Sequence, residues 1–175
     1  KQPNLFKISL NIKPAGNSEF IKYIPIQSTL FENKLLFAET NINKYIINNE
    51  IIFEKFLDEL MDYEELISVL KNDVYIKNIS KLSKLDQQNE LVNYAKRLDV
   101  IKSGKKEINY TLQFMWHDAK QGKEILDETL SIVLKNLKKN IISDIRSLAE
   151  AINVRNLESI ETLSIKLNLI AITNE

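Results

Sequence analysis

The sequence predicts an α+β fold: a small sheet with short helices on one face, and one very long helix extending from it. Three observations predict this. Phe6–Ile12 and Ile108–Trp116 both alternate apolar and polar residues with the period of a strand. Between them lie short stretches with apolar residues at helical spacing. After Gly122 there is neither Pro nor Gly through to Glu175. The expected division is a base over residues 1–117 and an extended helix over 118–175.

In the first strand Phe6, Ile8, Leu10 and Ile12 alternate with Lys7, Ser9, Asn11 and Lys13. Pro3, Pro14, Pro25 and Gly16 cluster at or around it, so residues 14–29 read as a loop. Leu30 to Ile47 is apolar but poorly phased, and is taken as helix. In the next segment Ile52, Phe53, Phe56, Leu57 and Leu60 oppose Glu54, Lys55, Asp58 and Glu59, which is an amphipathic helix. Asp62 with Glu65 three residues on resembles a capping box opening a second helix through Leu70. Ser83 or Asp86 opens a third, with Leu91, Tyr94, Ala95 and Leu98 on one side. Gly104 then turns the chain into the second strand. There Ile108, Tyr110, Leu112, Phe114 and Trp116 form the apolar face.

Asp118 is a good N-cap for the long helix, with Gln121 at the capping-box position. A helix of roughly 50 residues is about 80 Å long at about 1.5 Å per residue, against a mean near 11–12 residues. Its apolar stripe is Leu126, Leu130, Val133, Leu137, Ile141, Ile145, Leu148 and Ile152, the candidate helix-seam or oligomer contacts. Leu137 to Leu148 is an 11-residue spacing, which relaxes a left-handed supercoil. Beyond Asn153 the stripe shifts phase to Leu157, Ile160, Leu163 or Ser164, and Leu167, suggesting a bend or register change near residues 153–156.

Composition excludes several functions. The 24 basic and 24 acidic residues cancel, leaving no net field to draw nucleic acid or an anionic membrane. Arg occurs only as Arg97, Arg146 and Arg155, which weakens a phosphate-reading role. There is no Cys, hence no disulfide framework or thiol chemistry. One His and no Cys make a zinc site improbable. His117 and Asp118 are adjacent and diverge, so they read as helix entry and cap, not as a catalytic pair. Asp58, Glu59, Asp62, Glu64 and Glu65 read as a solvated, partly capping acidic face, and Lys135, Lys138 and Lys139 as solubilising charges. Three unclustered glycines hold no phosphate loop. No catalytic, cofactor or metal residue is assigned, and the chain is not expected to be an enzyme. Lys1 in place of an initiator Met, and an ordered-looking Leu163–Thr173, read as a piece excised from a longer parent.

The stretch INYTLQFMW followed by HDAKQGKEILDETLSIVLKNLKKNIISDI resembles the periplasmic domain of polysaccharide co-polymerases, the chain-length determinant family. FKISLNIKP and FEKFLDELMDYEELISVLKN are similar to that family's first strand and the short helices after it. The resemblance implies a bacterial inner-membrane protein whose membrane segments flank these residues, with this part in the periplasm. It implies an α+β base, a projecting helix and a homo-oligomeric ring that sets O-antigen-type chain length with the polysaccharide polymerase. Contact with the growing glycan would be a further partner. The family's returning helix and final base strand have no counterpart within these residues. The alternatives are a coiled-coil adaptor of the cell envelope, and a glycan hydrolase built on two of the acids.

Overall fold

The computed structural model describes residues 4–16, 18, 48–103 and 109–173. The helix expected over 30–47 and most of the loop over 14–29 lie outside them. The elements run β1 (Phe6–Ile12), α1 (Asn49–Met61), α2 (Glu64–Leu70), α3 (Asp73–Ile76), α4 (Lys84–Ala95), β2 (Leu98–Ser103), β3 (Asn109–Trp116) and α5 (Ala119–Thr173). The chain divides into two compact units, residues 1–20 with 48–138, and 21–47 with 139–175. The sheet's unit therefore takes in α5 as far as Lys138, beyond residue 117.

The sheet is three-stranded and antiparallel in the order β1-β3-β2. β3 lies at its centre because it is the most apolar of the three strands. Tyr110, Leu112, Phe114 and Trp116 share one face, with the last three buried, while Asn109, Thr111, Gln113 and Met115 are half-buried on the other. Opposite that apolar face β1 places Ile12, Leu10, Ile8 and Phe6, in an unbroken register. The expected pairing of the two alternating strands is what the fold contains.

β2 is a correction. Leu98 belongs to a strand, not to the face of the preceding helix, which ends at Ala95. Lys96 N donates to Val92 O and Arg97 N to Tyr94 O, closing the helix. β2 then pairs back on β3, with Leu98 opposite Phe114 and Val100 opposite Leu112. Val100-Ile101 puts two apolar residues side by side, so the period-two signal breaks. Ile101 faces out, 42% exposed.

Helix starts follow local chemistry. The Asn48 side chain accepts from Ile51 N, at 2.8 Å, to open α1. The Ser83 hydroxyl accepts from Asp86 N in α4 and donates to the Asp86 carboxylate. Asp118 opens α5, accepting from Gln121 N at 2.7 Å. The two capping-box partners behave otherwise. The Gln121 carbonyl accepts from Trp116 Nε1 at 3.0 Å, so it ties the helix to β3. At α2, Asp62 accepts from Glu64 N while Tyr63 takes a left-handed φ of 65°. Glu65 turns away toward α5.

The core is built on the apolar face of β3. Phe53 of α1 meets Tyr110 at 5.4 Å between ring centroids, and Tyr94 of α4 stands edge-on to Trp116 at 5.3 Å. Phe56, Leu60, Leu66, Val69, Leu70, Leu91 and Ala95 fill the space between the short helices. α5 closes it with Ile125, Leu126, Thr129, Val133 and Leu137, all buried. Thr129 is tolerated there because its hydroxyl donates to Ile125 O at 2.8 Å. Of the expected stripe, Leu126, Val133 and Leu137 are buried here, and Gly122, Ile125 and Thr129 beside them are buried too.

Gly122 is where α5 comes closest to the sheet. A Cβ built there would lie 2.6 Å from Ile8 Cδ1 and 2.8 Å from Trp116 Cβ. Gly122→Ala gains about 1 kcal/mol of helix propensity, yet the overpacking cost of about 1–3 kcal/mol is expected to win. Chemical denaturation should show net destabilisation, recovered in part by adding Ile8→Val, which removes the offending Cδ1. Leu112→Ala should cost about 3–4 kcal/mol. Gln113→Ala, on the half-buried face, should cost under about 1 kcal/mol. Equal losses at the two positions would contradict the assignment of faces.

Candidate functional site

Among the described residues, chemically capable side chains gather in two clusters. The first cluster surrounds the only histidine. His117 directly follows β3, where its Nε2 accepts from Arg97 Nη1 at 3.2 Å, which leaves the ring proton on Nδ1. The Arg97 guanidinium lies over the Tyr94 ring, 4.5 Å from its centroid, a cation–π contact. The His117 ring meets Trp116 and Tyr94 at 5.4 and 6.2 Å. Burial, and then the Arg97 charge, lowers the His117 pKa from its ordinary 6.5. Asp118 is occupied as the cap of α5, as expected, and forms no pair with the imidazole. The cluster is a latch between the α4–β2 turn and the β3–α5 junction.

The second cluster corrects the reading of the acids as a solvated face at Glu65, while Asp58, Asp62 and Glu64 are exposed as expected. Glu65 reaches inward, where its Oε1 accepts from Asn136 Nδ2 of α5 at 2.9 Å, and its Oε2 is buried without a hydrogen-bond partner. Carboxylate oxygens of Glu59, Asp62 and Glu65 lie within 4.8 Å of one another. Three hard oxygen ligands of this kind suit a Ca2+ or Mg2+ ion. Asp62 is exposed and Glu59 and Glu65 are half-buried. Sequence reasoning missed Asn136 as the partner of Glu65 because they lie 71 residues apart.

Of the expected seam residues, Leu126, Val133, Leu137 and Leu148 are buried and Leu130, Ile141, Ile145 and Ile152 half-buried. Leu126, Leu137 and Leu148 are spaced by eleven, and all three are below 8% exposed. Farther on the helix continues unbroken past residues 153–156. There Val154, Leu157, Ile160, Leu163, Ile165 and Leu167 are each between 55 and 67% exposed. In the sheet's unit a groove of about 420 Å3 is lined by Ile12, Lys13, Phe53, Phe56, Leu134 and Leu137 among others.

No family model matches the chain, and no curated protein matches it significantly. Among the described residues no helix is long and apolar enough to cross a membrane.

The latch has a pH signature. A histidine whose pKa falls on folding binds its proton more readily in the unfolded chain. Stability is then full above 6.5 and drops as pH falls through the unfolded value toward the lowered folded one. Denaturation midpoints measured from pH 7.5 to 5 should decline less steeply in His117→Gln than in the wild type. An identical decline would separate His117 from the pH dependence.

Proposed function

We propose that this chain is the periplasmic part of a non-enzymatic, oligomeric regulator of surface-polysaccharide chain length, working with the polysaccharide polymerase at the bacterial inner membrane. The observation that carries the reading is the junction of β3 with α5. A small antiparallel sheet packed with short helices passes, after a two-residue turn, into a helix of 55 residues. That arrangement is what the resemblance to polysaccharide co-polymerases implies for their periplasmic domain. Membrane attachment would lie in segments outside this sequence.

The exposed distal stripe gives the helix length a use. Apolar residues in a contiguous exposed row mark an interaction surface. In a ring, every subunit would present the same stripe around a common axis. The growing glycan and the polymerase would be the further partners, and no cofactor is needed.

The same stripe would serve a coiled-coil adaptor of the cell envelope, so the experiment has to separate the two. In the native host, deletion of the gene should abolish the modal length of the surface polysaccharide on gels. An unchanged ladder would refute the polysaccharide reading and leave the adaptor. Ile160→Glu combined with Leu163→Glu falls on exposed positions, so it should spare folding. It should reduce oligomer size in sedimentation of the full-length protein and broaden or shorten the ladder. Wild-type behaviour in both would show that this helix is not the assembly element.

A further inference from the structure

Among the described residues β1 and β2 are the edge strands of the sheet, and the two edges are finished differently. Any edge strand presents N–H and C=O groups that can take another strand, and native proteins block this with inward-facing charges, Pro or bulges. On β2 the residues opposite the buried face of β3 are Leu98, Val100 and Lys102. That row ends in an ammonium, 6.0 Å from the Tyr110 ring centroid. On β1 the corresponding residues are Phe6, Ile8, Leu10 and Ile12, without a charge, a Pro or a break in register. The apolar layer is also cut short there. Phe6 is 52% and Leu10 40% exposed, although their partners Trp116 and Leu112 are only 1 and 0% exposed. Leu134 of α5, 55% exposed, lines the groove at the end of β1.

We propose that β1 is a strand-pairing edge for a second copy of this chain, antiparallel about a two-fold axis through Ser9. Strand addition of this kind takes its affinity from main-chain hydrogen bonds and its specificity from alternate side chains. What selects a second copy is the strand's own sequence, Phe-Lys-Ile-Ser-Leu-Asn-Ile. Centred on Ser9, it sets Phe6 opposite the partner's Ile12 and Ile8 opposite the partner's Leu10. Lys7 then faces the partner's Asn11, and Ser9 faces its own counterpart. Every apolar side chain stays on the covered face and no like charges oppose each other, as cross-strand pairing requires. A shift of two residues toward Leu10 would set Lys7 against the partner's Lys13. A shift of two toward Lys7 would leave Asn11 and Ile12 unpaired. The symmetric register pairs the whole strand, and the interface is isologous, so it closes a pair of copies and is distinct from the heterologous contact that would build the proposed ring.

The interface is at the small end of specific contacts, so trapping reads it better than affinity alone. The chain has no cysteine, and Ser9 is exposed. In the full chain, Ser9→Cys should give a reducible covalent dimer under mild oxidation, because directly opposed Cβ atoms lie about 4.5–5.5 Å apart. Lys7→Cys should stay at background, since two such residues lie about four strand positions, or about 13 Å, apart across the axis. Lys7→Cys with Asn11→Cys should restore the dimer. Leu10→Lys, at a part-exposed position, adds the missing inward charge and should cut the Ser9→Cys yield at least about fivefold with little change in the unfolding midpoint. Equal crosslinking of Ser9→Cys and Lys7→Cys would mean random collision and overturn the proposal. So would an absence of Ser9→Cys dimer, the result if another segment occupies the edge.

Discussion

The covering of β3 by the first turns of α5 is the contact on which the rest of the sheet's unit depends. Among the described residues β3 is the only strand with neighbours on both sides, and its buried row of Leu112, Phe114 and Trp116 needs a lid. α5 provides it within a few residues of the strand's end, with Gly122 seated on Ile8 and Trp116. A Cβ at that position would lie under 3 Å from both Ile8 Cδ1 and Trp116 Cβ, so the contact could not persist unchanged. Trp116 is held from several directions: its indole N–H by Gln121, its ring edge by Tyr94, its neighbour His117 by Arg97. Helix length therefore begins from a fixed and well-buried origin.

From that origin the environment of α5 changes along its length. Up to Leu137 it is a core helix, with a face wide enough to bury Ile125, Leu126, Thr129 and Val133 together. Most of the stability of a helix in a protein comes from packing of its apolar face, not from intrinsic propensity. Packing stabilises its first part. Past Ile152 the apolar residues from Val154 to Leu167 stay exposed, a surface whose burial would add stabilisation of about 25 cal/mol per Å2. The β1 edge presents a second, separate apolar margin, of extended backbone instead of helix. The two surfaces offer different modes of association, side-chain packing at one and main-chain pairing at the other.

Much of this was legible in the sequence, and the failures share a cause. The alternation of β1 and β3, the cap at Asp118 and the long helix after it are local signals, and each is present in the structure, whereas the bend expected near residues 153–156 is not: the helix runs on to Thr173. β2 was hidden because Val100 and Ile101 are both apolar and its six residues follow a helix without a Pro or Gly between. Glu65 was misread because a charged residue beside a capping site is a surface residue by every local rule. Its bond to Asn136 spans 71 residues of sequence. Gln121 and Gly122 likewise looked like a cap partner and an incidental glycine until Trp116 and Ile8 were placed against them. Local pattern reveals elements; it does not reveal which polar side chain an element turns inward to meet another.

Native-state hydrogen exchange on the dilute chain tests the central claim most directly, because amide protection follows the burial and cooperativity of each segment. The account predicts that β3 and α5 from Ile125 to Leu137 exchange together, at the slowest rates in the molecule. Protection along α5 should then fall by orders of magnitude between Val154 and Leu167. Uniform protection from Ala119 to Leu167, or a proximal α5 that exchanges faster than β3, would contradict it.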